Sequence, residues 1–281
     1  MKKNKWLILF LFIFFGCTSG INEYDANEFL NFGITIPSEG DCFPQVKDKY
    51  IYPIVPGTKE WKRLKSHDDA IKVCQLPAKK LKSISTSGLI DALIHAPLFT
   101  SLDGISNYYS ELIWRSIYGY FNSGIELFNR KDAGEALVAY YKLTSLVCVV
   151  DNNDALLREY DEFSAKGIKK EFTEQDAKII DDFKRLQGLE CLFTVTEILD
   201  KLSHEKKKEA VAVLLANFSL RPDFTYSIFP IAYLMLADKY EPVVEHFTNN
   251  VEFQHIINGY LIVYQIDVLI SFANDFINVK N

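Results

Sequence analysis

Two pairs of side chains have the types and spacing that acid–base or metal chemistry needs. Asp91 and His95 stand one helical turn apart, so a carboxylate could orient an imidazole as an acid–base couple. Such a couple works only beside a nucleophile or a cleft, which the surrounding residues do not announce. The competing reading is an ordinary helix-surface pair. Glu252 and His255 are three residues apart, just after Glu245-His246. Di-iron bundles use this spacing, but on two helices and with further glutamates, and this chain has one copy. No serine lies in a Gly-x-Ser-x-Gly turn, no His-Glu-x-x-His is present, and no glycine-rich phosphate loop appears. These signals point to no catalytic residue, no metal ligand and no cofactor.

Cysteine chemistry is the next candidate. Cys17 closes an N-terminal segment treated below, and Cys42, Cys74, Cys148 and Cys191 follow. Without a Cys-x-x-Cys pair or a companion histidine pattern they do not read as a zinc site. Cys148, inside Leu146-Val147-Cys148-Val149-Val150, and Cys191, before Leu192-Phe193, read as small buried core residues. A Cys42–Cys74 bridge would tie the N-terminal arm to the first helices. Four cysteines allow three complete pairings, and the sequence does not choose among them.

Tyrosine supplies the one candidate binding surface. Tyr108, Tyr109, Tyr118, Tyr120, Tyr140 and Tyr141 form, with Phe121, the densest aromatic district. Tyrosine favours surfaces with one wet edge, which suits a glycan or a protein partner. The alternative is an aromatic core with hydroxyls at its boundary.

The first seventeen residues read as an address. Lys2, Lys3 and Lys5 precede an uninterrupted apolar stretch from Trp6 to Phe15, then Gly16 and Cys17. A lasting transmembrane helix needs about 20 apolar residues, so the stretch is short for a span and has the flanks of a cleaved export signal. The order resembles a bacterial lipoprotein signal, which implies cleavage before Cys17, acylation of its thiol and attachment to a membrane. Phe14 and Phe15 depart from the usual pattern, which favours Leu ahead of a small residue. A plain cleaved signal and an uncleaved anchor are the alternatives.

Charge narrows the partners. The chain carries a formal −6, which becomes −9 once residues 1–16, with three lysines and no acid, are removed. A phosphate backbone demands clustered positive charge. The run Lys206-Lys207-Lys208 is flanked by Glu205 and Glu209 and reads as a solvated helix face. Nucleic acid is not an expected partner. An apolar content of 48% argues for a folded domain with a real core.

The elements that would position these residues are helical. Residues 17–57 are punctuated by Pro37, Pro44, Pro53, Pro56 and Gly57 and read as a tether and extended arm. Ile34-Thr35-Ile36 and Tyr50–Val55 are the two short strand candidates. From Thr58 to the end, helix starts recur at Thr58, Ser66, Ser85, Asp132, Thr173 and Ser203, with Thr173 and Asp176 in capping-box register. Pro230 belongs in the first turn of a helix that begins near Ser227. Val251–Ile277 is apolar almost all round and reads as the central helix of the core, which makes its Asp267 a buried carboxylate in need of a partner from another helix. The expected architecture is all-α: one domain over residues 58–281, an irregular multi-helix bundle, with an α-solenoid of helical repeats as the alternative. Unequal spacing of the helix starts favours the bundle.

Several short segments carry a resemblance. Pro56-Gly57-Thr58-Lys59-Glu60-Trp61, Cys74-Gln75-Leu76-Pro77, Ser85-Thr86 ahead of Leu89, Phe121-Asn122 with Glu126-Leu127, and Arg130-Lys131-Asp132-Ala133 are similar to a group of exported bacterial proteins, many with lipoprotein signals. It spans residues 56 to about 133 and implies export and helical character, with no known reaction. The expectation for function is a membrane-tethered, non-catalytic helical module of the bacterial envelope. It would be held to the membrane by its N-terminal lipid and bind an envelope protein or an incoming one, as an immunity or inhibitor protein does. An enzyme acting on envelope or polysaccharide material and a carrier of a small apolar ligand are the alternatives.

Overall fold

The computed structural model describes residues 26–100, 118–144, 148–149, 156, 159, 173–220, 228–250 and 263–279. It is predominantly helical, with one two-stranded sheet among the described residues. The chain enters through α1 (Ala26–Asn31) and turns at Gly33, whose φ of 65° suits a residue without Cβ. Strand β1 (Ile34–Thr35) then pairs antiparallel with β2 (Gln45–Val46), Ile34 opposite Val46. The expected strand at Ile34 is present. Tyr50–Val55 is not a strand, because Tyr52 instead turns into the core and donates to the carbonyl of Ala92 at 3.0 Å.

The arm is not separate from the domain. Phe29, Ile34, Cys42, Phe43, Val46 and Tyr52 are buried in the same core as the helices, so residue 57 does not bound that core. The prolines had suggested a tether, but apolar residues between them pay for ordering by burying against α-helices.

Helix starts follow the capping chemistry. Ser66 accepts from Asp69 N to open α2 (His67–Val73), and Pro77 precedes α3 (Ala78–Ser83). Ser85 accepts from Gly88 N to open α4 (Thr86–Ile94). After the short α5 (Pro97–Thr100) come α6 (Asn122–Asn129) and α7 (Ala133–Leu143). Thr173 and Asp176 form the complete capping box of α8 (Glu174–Cys191). The remaining helices are α9 (Thr196–Leu199), α10 (His204–Leu220), α11 (Ile228–Ala237), α12 (Glu241–Asn249) and α13 (Val263–Asn278). Pro230 is the third residue of α11, within its first turn, where a missing N–H leaves no intrahelical bond unmade.

The centre is α4, every residue of which is buried. It packs against β2, α6, α7 and α8. A second group forms around α10, which meets α7, α11 and α13. Helices thus contact elements distant in sequence, as in an irregular bundle and unlike a stack in which each repeat meets its neighbours.

The C-terminal segment corrects an expectation. Over its described part, α13 buries one stripe, Ile266, Leu269, Ala273 and Phe276, while Asp267 is exposed. It is an amphipathic helix on the flank of the bundle. Residues 251–262 lie outside the described residues. Among the described residues no helix is long and apolar enough to cross a membrane.

Candidate functional site

The polar residues that the fold gathers lie along one stripe of α4. Ser87, Asp91 and His95 follow each other at helical-turn intervals, and each meets the arm. Ser87 Oγ donates to the Phe32 carbonyl at 2.5 Å. Asp91, fully buried, accepts from the Tyr140 hydroxyl at 3.0 Å and has the Lys49 ammonium 3.9 Å from the same oxygen, Oδ1. His95 Nδ1 is 2.8 Å from the Asp91 main-chain carbonyl and 3.4 Å from its carboxylate, with the Phe43 ring edge-on to the imidazole at 5.7 Å. The Asp91–His95 pair is therefore no helix-surface pair: the arm covers it.

Burial decides the electrostatics of this stripe. It pulls the His95 pKa below the usual imidazole range, Asp91 opposes that shift, and Arg185 and Lys49 add to it. A neutral imidazole with Nδ1–H directed at the Asp91 carbonyl follows. Burial also pushes the Tyr140 hydroxyl far above its ordinary value, with the Asp91 charge acting the same way. Asp91 Oδ2 and Arg185 Nε are buried and have no hydrogen-bond partner. Among the described residues no serine, threonine or cysteine hydrogen-bonds to His95, so the cluster orients an imidazole without a nucleophile against it.

The tyrosine surface expected from the sequence is a correction. Tyr118, Tyr140 and Tyr141 are fully buried, and their hydroxyls reach Gly188 O, Asp91 Oδ1 and Glu190 Oε1 at 2.5, 3.0 and 2.6 Å. Rings in an all-buried region have no wet edge, and each hydroxyl avoids the penalty of an unpaired buried donor by crossing to another helix. Tyr120 alone of the described four is exposed, at 53%, with its ring 6.3 Å from His67. Tyr108 and Tyr109 lie outside the described residues, as do Cys17, Glu252 and His255. His246, upstream of that last pair, packs on Phe272 at 5.5 Å. Among the described residues no group of three or more His, Cys, Asp or Glu is placed to hold a metal ion.

The cysteines pair differently from the expected bridge. Cys42 is bonded to Cys148, 106 residues away, with Cα atoms 5.3 Å apart. Cys148 is an exposed bridge partner, and not the small core residue its apolar neighbours suggested. Cys74 is a free buried thiol whose sulfur accepts from Leu98 N at 3.3 Å, and burial pushes it up to about 11. Cys191 is likewise free and buried, its thiol raised chiefly by desolvation. Neither has the thiolate character that reactivity requires.

An open groove of about 610 Å³ lies where the arm meets the starts of α4 and α7. Leu30, Lys47, Asp48, Ser85, Arg130 and Asp132 are among its lining. Asp48 accepts from Ser85 N at 2.5 Å and Ser85 Oγ at 2.7 Å. Gly88 is required beside it, since a Cβ there would stand 2.6 Å from Asp48 Oδ1. Asp132 precedes α7 as expected but makes no capping bond: its carboxylate accepts from Thr86 Oγ1 at 2.7 Å. Asp48 and the groove have no periodic signature and were not legible in the sequence. The lysines of α3 went unread as well, although Lys79, Lys80 and Lys82 stand in a stretch with no acid between Asp69 and Asp91. The other run, Lys206–Lys208, is only partly solvated: Lys206 pairs with Glu209, while buried Lys207 lies 3.6 Å from Asp238.

Comparison with known proteins adds no relative. No family model, characterised protein or solved structure matches the chain.

Proposed function

We propose that this chain is a lipid-anchored, non-catalytic helical binding module of the bacterial cell envelope. The observation that carries the reading is the Cys42–Cys148 disulfide. Disulfides form and persist in oxidising compartments and are rare where thiols are kept reduced. A chain whose N-terminal segment resembles a lipoprotein signal ending at Cys17 is delivered to such a compartment. The bridge also fastens the arm that follows the anchor to the segment after α7, so a pull on the lipid is transmitted to the bundle.

Binding is favoured over turnover by how the polar groups are used. Tyr140 donates to Asp91 and Tyr141 to Glu190 inside the core, and the groove carboxylates are held by Ser85 and Thr86. The partner class is a protein of the envelope or one arriving there, and an immunity or inhibitor role is the specific version. Cys17→Ser tests the anchor: in the producing bacterium it should abolish labelling by a clickable palmitate analogue and release the protein from membranes. Retained label or retained membrane association would contradict the reading. Crosslinking of the lipidated protein on intact cells should then yield a discrete protein adduct.

A further inference from the structure

The chain is acidic overall, yet exposed lysines crowd the segments that border its groove, whose own lining sets Lys47 and Arg130 against Asp48 and Asp132. Helix α3 carries Lys79, Lys80 and Lys82, and it is docked by Lys80, whose Nζ donates to the Asp48 carbonyl at 2.6 Å. Across the groove are Lys47 and Arg130, with Lys131 exposed beside the latter. Three acids stand nearby: Glu126 pairs with Arg130 at 2.8 Å, while Asp48 and Asp132 are held by neutral donors of Ser85 and Thr86 and keep their charge, which leaves the lysines in excess. Lys47, Lys79, Lys82 and Lys131 are exposed and make no ion pair among the described residues. Leu30, 62% exposed, adds an aliphatic side chain to the same rim.

We propose that this rim is a membrane-docking face that rests on the anionic phospholipid headgroups of the bilayer holding Cys17. Unpaired lysines are attracted to an anionic leaflet within about a Debye length. The choice of a bilayer over a soluble polyanion rests on the lipid-anchor reading. Ala26 opens α1 nine residues after Cys17, at most about 30 Å of extended chain, and α1 carries the Leu30 that lines the groove. The tether therefore holds this face near the headgroups. Docking through it would fix the orientation of the domain and turn other faces toward a partner.

The test uses the mature chain with Cys17→Ser, which has no acyl group, and sedimentation with vesicles. It should partition onto phosphatidylglycerol-containing vesicles and stay off pure phosphatidylcholine, with binding that weakens as salt rises. Lys79→Gln, Lys82→Gln and Lys131→Gln should each lower the partition coefficient about fivefold, with melting temperatures unchanged, whereas Lys208→Gln on α10 should not. Equal partition onto both vesicles, no partition onto either, or insensitivity to the three rim variants would overturn the proposal. So would capture by heparin without any affinity for anionic vesicles. Failure of this face leaves palmitate labelling at Cys17 intact, and failure of labelling leaves the vesicle result intact, so the two readings fall separately.

Discussion

Helices α4 and α13 have the same make-up and opposite fates. Each is mostly apolar, and each has a stripe of polar residues about one turn apart: Ser87, Asp91 and His95 on or just after α4, and Asp267, Ser271, Asn274 and Asn278 on α13. On α13 those polar residues face solvent. On α4 they face Phe32, Lys49 and Phe43 of the arm. A stripe is a local property of the sequence, whereas its cover comes from residues some 40 to 55 positions away, as with Tyr52 on Ala92 and Phe32 on Ser87. The arm, by covering α4, makes that helix and not the C-terminal one the centre of this molecule.

Asp91→Ala should destabilise by about 4 kcal/mol in a denaturant melt, because it strands the buried Tyr140 hydroxyl and removes the counter-charge of Lys49. A loss below about 1 kcal/mol would show that the stripe is solvated. Replacing both Cys42 and Cys148 by Ser should cost about 3 kcal/mol under oxidising conditions by freeing the arm, with no difference from the parent chain in reductant.

Tyr140→Phe should cost about 1 to 2 kcal/mol, since it leaves the Asp91 carboxylate without its hydroxyl donor. Acid should expose His95 next. Its folded pKa is depressed by burial, so the unfolded chain binds a proton that the folded one refuses. The stability it confers is present above about 6.5, the unfolded value, and is lost as pH falls toward the lower folded value. The melting temperature should therefore drop between pH 7 and pH 5, and His95→Gln should flatten that part of the curve. At the small end, Asp267→Ala should change stability by no more than about 0.5 kcal/mol, and a larger loss would place α13 deeper than its exposed stripe allows.

Much of the fold was legible because it is written in local chemistry. Ser66, Ser85 and Thr173 cap their helices through hydrogen bonds three residues ahead, and Pro230 occupies a first turn, as the sequence required. Far less of the candidate site could be read. Tyr118, Tyr140 and Tyr141 looked like a surface because tyrosine composition does not say whether a hydroxyl will meet water or a carbonyl on another helix. Cys148 hid its bridge inside an apolar run, since pairing over 106 residues leaves no local trace. Val251–Ile277 was read by its apolar fraction, although the spacing of Asp267, Ser271 and Asn274 already marked an outward stripe.

Export to an oxidising compartment and anchoring by lipid are what the functional account stands on, and one intact-mass measurement reads both. The protein would be extracted from the producing bacterium's membranes without reductant and its free thiols blocked with an alkylating agent under denaturation. The account predicts a mass lacking residues 1–16, increased by acyl groups on Cys17, with alkylation at two thiols, Cys74 and Cys191. A chain that retains residues 1–16, carries no acyl group and alkylates at Cys42 and Cys148 as well would contradict it.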